Sequence, residues 1–327
     1  MRTTRRIMLA ALLALAGNGA LTQASFAQEF WPDRPIRFIV TSAAGGGIDL
    51  MARLLAEGLS RQLPKPVIVE NSGGGGGLIA TRLVAKSDAD GYTLLFQGPG
   101  YAALPFIHRN PGFDVAKDFA GVSLVATFPL VLVTNPAVPA ETLSEFIALA
   151  KASPGKYMYG SSGIGGASHI PLEALKDQAG LDMVHVPFRG SGQTSAALIS
   201  GQIELTIDGL APQLGNIRTD RVRALAVSTR ERTPVMPDIP AMSETLPGFE
   251  YPMWVAVFAP AKTPKPIIDK MSSAIARALK DPATKKRFDE LIDSEVGSTP
   301  DELNTFVEEQ LKINKQIIEK AHIQVAD

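Results

Sequence analysis

Four times in this chain an apolar, strand-like run ends in a turn rich in glycine and serine, and a helix-like stretch generally begins after it. The turns are residues 41–49 (TSAAGGGID), 71–78 (NSGGGGGL), 160–170 (GSSGIGGASHI) and 187–195 (PFRGSGQTS). Glycine admits close approach to the backbone, and a helix N-terminus presents free N–H groups and partial positive charge. In open α/β sheets, ligands sit beyond the carboxyl ends of the strands. The device therefore predicts an α/β fold and a site for a small anion.

The rest of the chain keeps the rhythm. Strand-like runs at 36–40, 67–70 and 93–96 alternate with helix-like runs at 49–62 and 78–86, the first with Leu50, Leu54, Leu55 and Leu59 on one face. This order predicts a mainly parallel sheet with helices on both faces. A second unit repeats it, with strands near 130–133, 183–186, 204–207 and 222–227, and helices near 143–152 and 171–178. A proline-rich stretch (230–252), a strand at 253–258 and three helical stretches close the chain. The expected division is 28–126 plus 251–327 for one unit and 127–250 for the other, the tail packing back on the first. Two loops from each unit would then face each other across a cleft.

The first 27 residues differ. Arg2, Arg5 and Arg6 precede the apolar run 7–16, and Ser25-Phe26-Ala27 supplies small residues at the −3 and −1 positions of a cut. This reads as a cleaved secretory signal peptide, too short in its apolar part for a span of roughly 20 residues. Its removal takes away three arginines and no acid, leaving 29 basic against 33 acidic residues. The formal charge of −1 on the 327 residues argues against nucleic acid as a partner, and the absence of cysteine excludes disulfides.

Catalytic motifs are weak. Gly75-x-Gly77-x-x-Ala80 fits a dinucleotide fingerprint only as a run of glycines fits many patterns, and no Walker lysine is present. Gly160-Ser161-Ser162-Gly163-Ile164 misses the G-x-S-x-G elbow in its last position. Ser168 and His169 are adjacent, which seldom lets one activate the other, and His108, His169, His185 and His322 lack metal-ligand spacing. No cofactor, metal or catalytic residue is expected. Asp49 reads as a ligand contact or a first-turn charge. Asp208 reads as an acceptor for a ligand ammonium or hydroxyl or as a turn residue. Arg189 is a carboxylate partner or a solvated cation, and Tyr101 a pocket wall.

Several segments together resemble the Bug-type periplasmic solute receptors of tripartite tricarboxylate transporters, over nearly all of the chain beyond the leader. They are WPDRPIRFIV with its glycine loop, PVIVEN, DGYTLL, GSSGIGGASHI, VPFRGSGQTSAAL, ISGQIELTIDGL, VRALAVSTRERTPVMPDIPAMSE and FAPAKTPKPIID. The resemblance implies a two-lobed, type II "Venus flytrap" binding protein, monomeric and non-enzymatic. It would hold a small carboxylate and hand it to integral membrane transporter subunits. Di- and tricarboxylates, acidic amino acids and aromatic acids are the implied ligand classes. The alternatives are a ligand sensor for a signalling partner and an exported α/β hydrolase. By position, the resemblance assigns ligand binding to Ser42, Gly46, Gly47, Asp49, Gln97 and Tyr101 in the first lobe. In the second it assigns Ser162, Gly165, Ser168, His169, Arg189, Gly190, Thr194 and Asp208. The chain departs from the family pattern at Ile48 and Gly166, where hydroxyl residues are usual, and at Ser72, where an arginine and proline are missing. These changes point to a less polar acid.

Overall fold

The computed structural model describes residues 31–251, 253–289, 294–321 and 323; the expected signal peptide and His322 lie outside them. In chain order the first part comprises β1 (Ile36–Val40), α1 (Gly47–Ser60), β2 (Val67–Asn71), α2 (Leu78–Ala85), β3 (Thr93–Gln97), α3 (Gly100–Ile107) and β4 (Phe119–Phe128). Next come β5 (Leu130–Thr134), α4 (Leu143–Ala152), β6 (Met158–Ser161), α5 (His169–Ala179), β7 (Val184–Pro187), α6 (Ser191–Ile199), β8 (Leu205–Gly209), α7 (Leu210–Arg218) and β9 (Arg223–Val227). The last part is β10 (Met253–Pro260), α8 (Lys265–Lys280), α9 (Pro282–Asp289), β11 (Ser294–Glu295) and α10 (Pro300–Lys320).

The strands form two sheets, ordered β11-β4-β10-β3-β1-β2 and β7-β6-β8-β5-β9. Each sheet is mixed rather than mainly parallel. In the first, β1 runs parallel to β2 and β3, with Phe38 level with Val69 and Leu94, while β10 is antiparallel to β3 and β4. In the second, β6 is parallel to β7 and β8, while β5 is antiparallel to β8 and β9. The antiparallel strands β10 and β5 are the ones on which the chain enters each sheet after a crossing.

Burial follows from the sequence pattern. All eight residues of β10 are buried, as expected of a central strand covered on both faces. Helix α8 buries Ile267, Met271, Ala274, Ile275 and Ala278, spaced three and four apart. In α1 the inward stripe includes Met51, Leu55 and Leu59; Leu50 lies outside it and is exposed.

The chain leaves the first sheet at Pro129, between β4 and β5, and returns between β9 and β10. Ser228, fully buried, pins the two crossings together. Its N–H donates to Leu130 O (2.9 Å), its hydroxyl accepts from Leu130 N (3.1 Å), and its carbonyl accepts from Tyr251 N (2.9 Å). The C-terminal helix α10 packs on β4 and α3 of the first lobe and also on α5 of the second. There Lys320 Nζ pairs with Asp177 at 3.3 Å.

Candidate functional site

The first lobe supplies the turn after β1 and the start of α1. Asp49 is buried, and its oxygens are used locally: Oδ2 accepts from Gly45 N (2.8 Å) and Arg53 Nε (3.0 Å), and Oδ1 from Asn71 Nδ2 (2.8 Å). Asn71 Nδ2 also donates to Ser42 O at 3.0 Å. Burial pushes the Asp49 carboxyl up, but the bonds from Arg53, Gly45 and Asn71 outweigh it and hold the group below the usual carboxylate range. Asp49 therefore shapes the glycine turn and supplies the first-turn charge of α1. Asn71, one of its partners, escaped the sequence reading; its only signal was its place at the end of the PVIVEN strand.

Gln97 ends β3 with its side chain buried. The Thr81 hydroxyl lies 2.8 Å from both Gln97 Oε1 and Gly77 O, and Gln97 Nε2 has no partner. The Ser42 hydroxyl is likewise buried and unpartnered. These two polar atoms, at the carboxyl ends of adjacent strands, are available to an incoming acceptor. Ile48 stands beside them: a methyl placed on Gly98 would lie 3.4 Å from its Cδ1.

Tyr101 faces the core. It is buried, its ring stacks on Phe258 (4.0 Å between centroids, 11° between planes), and its hydroxyl donates to Val115 O at 2.8 Å. It anchors α3 in the first lobe's core.

In the second lobe the turn 161–169 is knitted to itself. Ser162 N donates to Ser168 Oγ (2.7 Å), and the two serine hydroxyls lie 3.0 Å apart. Gly166 N donates to Gly163 O and His169 N to Gly166 O, both at 3.0 Å. Gly165 N donates to His169 Nδ1 at 3.0 Å. A methyl at Gly166 would lie 3.0 Å from both Gly163 O and Ser162 Oγ, so glycine leaves that hydroxyl uncrowded. His169 and Ser168 are buried and hydrogen-bonded within this turn, which they support.

Beneath the turn lies a polar cluster. His169 stacks on His185 at 4.0 Å, and His185 Nε2 meets Ser161 Oγ at 2.6 Å. Glu173 accepts from the Tyr159 hydroxyl and from Lys176 Nζ (2.8 Å). Burial lowers the His169 pKa to about 3, helped by His185 and Lys176. Burial likewise lowers that of His185 to about 4. Both rings are neutral at pH 7.

The neighbouring turn carries Arg189 and Gly190. The Arg189 side chain is exposed and has no ion pair among the described residues, while its N–H donates to Gln193 Oε1 at 3.1 Å. Thr194 is buried and its hydroxyl donates to Ser161 O (3.2 Å) and Gly190 O (3.1 Å); it ties two turns together and does not reach outward. Asp208 accepts from Ser191 Oγ and Gly209 N (both 2.9 Å) and from Gln213 Nε2 (3.0 Å), with no cation beside it. Removal from water raises its pKa against those three bonds.

Helices α1, α2, α5 and α6, which start at the four glycine turns, have no side-chain cap. Of the helices that start elsewhere, α4 and α10 are capped by Thr142 and Thr299, while α3, α7 and α8 have no side-chain cap either. The first-turn N–H groups of a helix lack intrahelical partners and favour an anion; at the glycine turns Leu78 N is already taken by Gly75 O and His169 N by Gly166 O. The turns of opposite lobes also meet. A methyl at Gly76 would lie 3.5 Å from Ile164 O and 3.9 Å from Gly165 C. Among the described residues no cluster of His, Asp and Glu could hold a metal, and no helix is long and apolar enough to cross a membrane.

Two α/β lobes joined by two crossings, with a glycine turn of one meeting a glycine turn of the other, define the periplasmic binding protein fold. Residues 51–323 match the family model described as the tripartite tricarboxylate transporter family receptor, TctC, and the chain belongs to that family. The solved structure of the periplasmic binding protein BugD is 31% identical, with a TM-score of 0.84, covering 90% of this chain and 99% of that one. Rpa4515 of R. palustris, solved with adipate, is 30% identical at a TM-score of 0.85, with 90% and 99% covered. MatC of Rhodopseudomonas palustris, solved with bound malate, is 29% identical at 0.80, with 88% and 100% covered. The family is one of solute receptors, and its fold is that of periplasmic binding proteins.

Proposed function

We propose that this chain is exported, captures a small dicarboxylate or related acid between its lobes, and delivers it unchanged to the membrane subunits of a tripartite transporter. The observation that carries this reading is the meeting of two glycine turns from opposite lobes, at Gly76 and Ile164-Gly165, each leading into a helix without a side-chain cap. The N–H groups of such helix starts favour an anion without a metal or a buried counter-charge. The adipate and malate held by two relatives are of the same chemical class.

In this reading Ser42 Oγ, Gln97 Nε2 and the Gly47 N–H receive one carboxylate, joined by the Gly46 N–H once it gives up its 3.3 Å bond to Ala43 O. Ser162, Gly165, Arg189 and Gly190 approach from the other lobe. Asp208, a carboxylate with acceptor capacity left, takes a hydroxyl or ammonium of the ligand. A ligand touched from both sides stabilises the closed arrangement through its greater affinity for it.

A thermal-shift screen over adipate, malate, acidic amino acids and aromatic acids tests the proposal. A saturable rise in the melting temperature, with the acid recovered intact, is the expected result. The Arg189→Ala variant should weaken the response by tenfold or more. Consumption of the acid, or no shift with any acid, overturns the reading.

A further inference from the structure

Ile107 is the last residue of α3, in the first lobe, and is 1% exposed. Its burial is completed by the other lobe. A methyl group added at Gly165 would overlap Ile107 Cδ1 and would lie 3.2 Å from Cγ1 and 3.4 Å from Cγ2. A methyl on Gly76 would lie 3.8 Å from the same Cδ1. The isoleucine tip thus occupies a socket between a first-lobe glycine and a second-lobe glycine.

Both sides of this contact are held in place. The start of α3 is fixed by Tyr101, through its stack on Phe258 and its bond to Val115 O. Ala102, Ala103 and Leu104 are buried along the helix. Helical rise then sets Ile107 about 9 Å beyond Tyr101. On the other side, Gly165 is held by its own N–H bond to His169 Nδ1 and adopts φ +69°.

We infer that Ile107 and Gly165 form an apolar latch that sets how closely the lobes approach, making Ile107 a positioning residue for ligand capture. It rests on the two-lobed receptor reading above. Ile107 needs no contact with the ligand. Its seat on Gly165 fixes the spacing at which turns of both lobes engage one small molecule. The contact also buries apolar surface without any ligand, so part of the empty protein is closed. Only glycine at 165 lets the tip seat fully, because any side chain there would meet Cδ1 before the lobes came together.

The chain has no cysteine, so spin labels can be placed cleanly at Leu83→Cys and Ala196→Cys, on exposed positions of α2 and α6. Distances are read by double electron–electron resonance on protein stripped of ligand by unfolding and refolding. The labelled parent should show a short-distance population. In Gly165→Ala that population should fall at least tenfold. Alanine at a positive φ is itself strained, so the deciding variant is Gly165→Ala with Ile107→Val, which removes Cδ1 alone. The double variant should recover the short population to within about twofold of the parent. A parent without short distances, a Gly165→Ala variant that keeps them, or a double variant no better than Gly165→Ala overturns the latch. Should Gly165→Ala fail to fold, Ile107→Ala alone decides: a threefold loss of the short population supports the latch, and a parental distribution overturns it. None of these readings needs a bound acid, so they stand apart from the outcome of the ligand screen.

Discussion

His169 lies flat on His185, ring centroids 4.0 Å apart, in a pocket shared with Tyr159, Glu173 and Lys176. Each ring also holds the turn 161–169: His169 through Gly165 N, His185 through Ser161. The folded protein keeps both neutral, with pKa values lowered from 6.5 to about 3 and about 4. The unfolded chain therefore takes up protons first as pH falls. Stability is full above about pH 6.5 and declines as the pH drops from there toward the folded values, by on the order of 4 kcal/mol for the pair between pH 7 and pH 5. Urea unfolding across this range measures it. His169→Gln should flatten the slope.

Asp49→Ala removes the acceptor for Gly45, Arg53 and Asn71 together. Hydrogen bonds to a buried carboxylate predict a loss of about 2 kcal/mol in urea unfolding at pH 7. The folded-state pKa is lowered, so this stabilisation is present above the unfolded value of 3.8 and vanishes as pH falls through the folded value. The difference between parent and variant should therefore shrink below about pH 4.

Tyr101→Phe keeps the stack on Phe258 and loses only the bond to Val115 O. It should lower stability by about 1 kcal/mol and leave carboxylate affinity within twofold, by calorimetry. A large affinity loss with unchanged stability would place Tyr101 at the cleft wall.

Thr299 caps α10, accepting from Glu302 N at 3.3 Å while Glu302 Oε2 accepts from Thr299 N at 2.8 Å. Thr299→Ala should cost about 1 kcal/mol in thermal unfolding. Because α10 packs on α3 and α5, hydrogen exchange should quicken in both lobes and not in α10 alone.

Much of the architecture was legible because it is written in local periodicity. The strands 36–40 and 67–71, the helices α2 and α4, and all four glycine turns follow from short-range pattern. The missed elements lack such a signal. Helix α3 reads GYAALPFI, apolar on every side and containing Pro105, and α7 contains Pro212 and Gly215. Strand β4 carries Gly121, Ser123 and Thr127 among its apolar residues and finds its partner more than a hundred residues later in β10.

The site shows the same limit. Sequence placed Tyr101, Asp49, His169 and Thr194 near the cleft, but side-chain direction depends on distant partners. Phe258 draws Tyr101 inward, Asn71 and Arg53 occupy Asp49, and His185 backs His169. Thr81 meets one end of the Gln97 amide. Ile107 carried no motif at all; only the approach of the second lobe gives it a role.

The strand order of the first sheet has a consequence for timing. β10 lies between β3 and β4, and β4's other neighbour is β11, later still in the chain. A chain emerging N-terminus first therefore holds β4 without either partner until residues past 253 arrive. The second sheet, built wholly from residues 130–227, meets no such delay. One lobe can be finished while the other waits for the last quarter of the molecule. Pairings of such sequence separation cost loop-closure entropy before they stabilise, so β4 should be among the last strands to find its place.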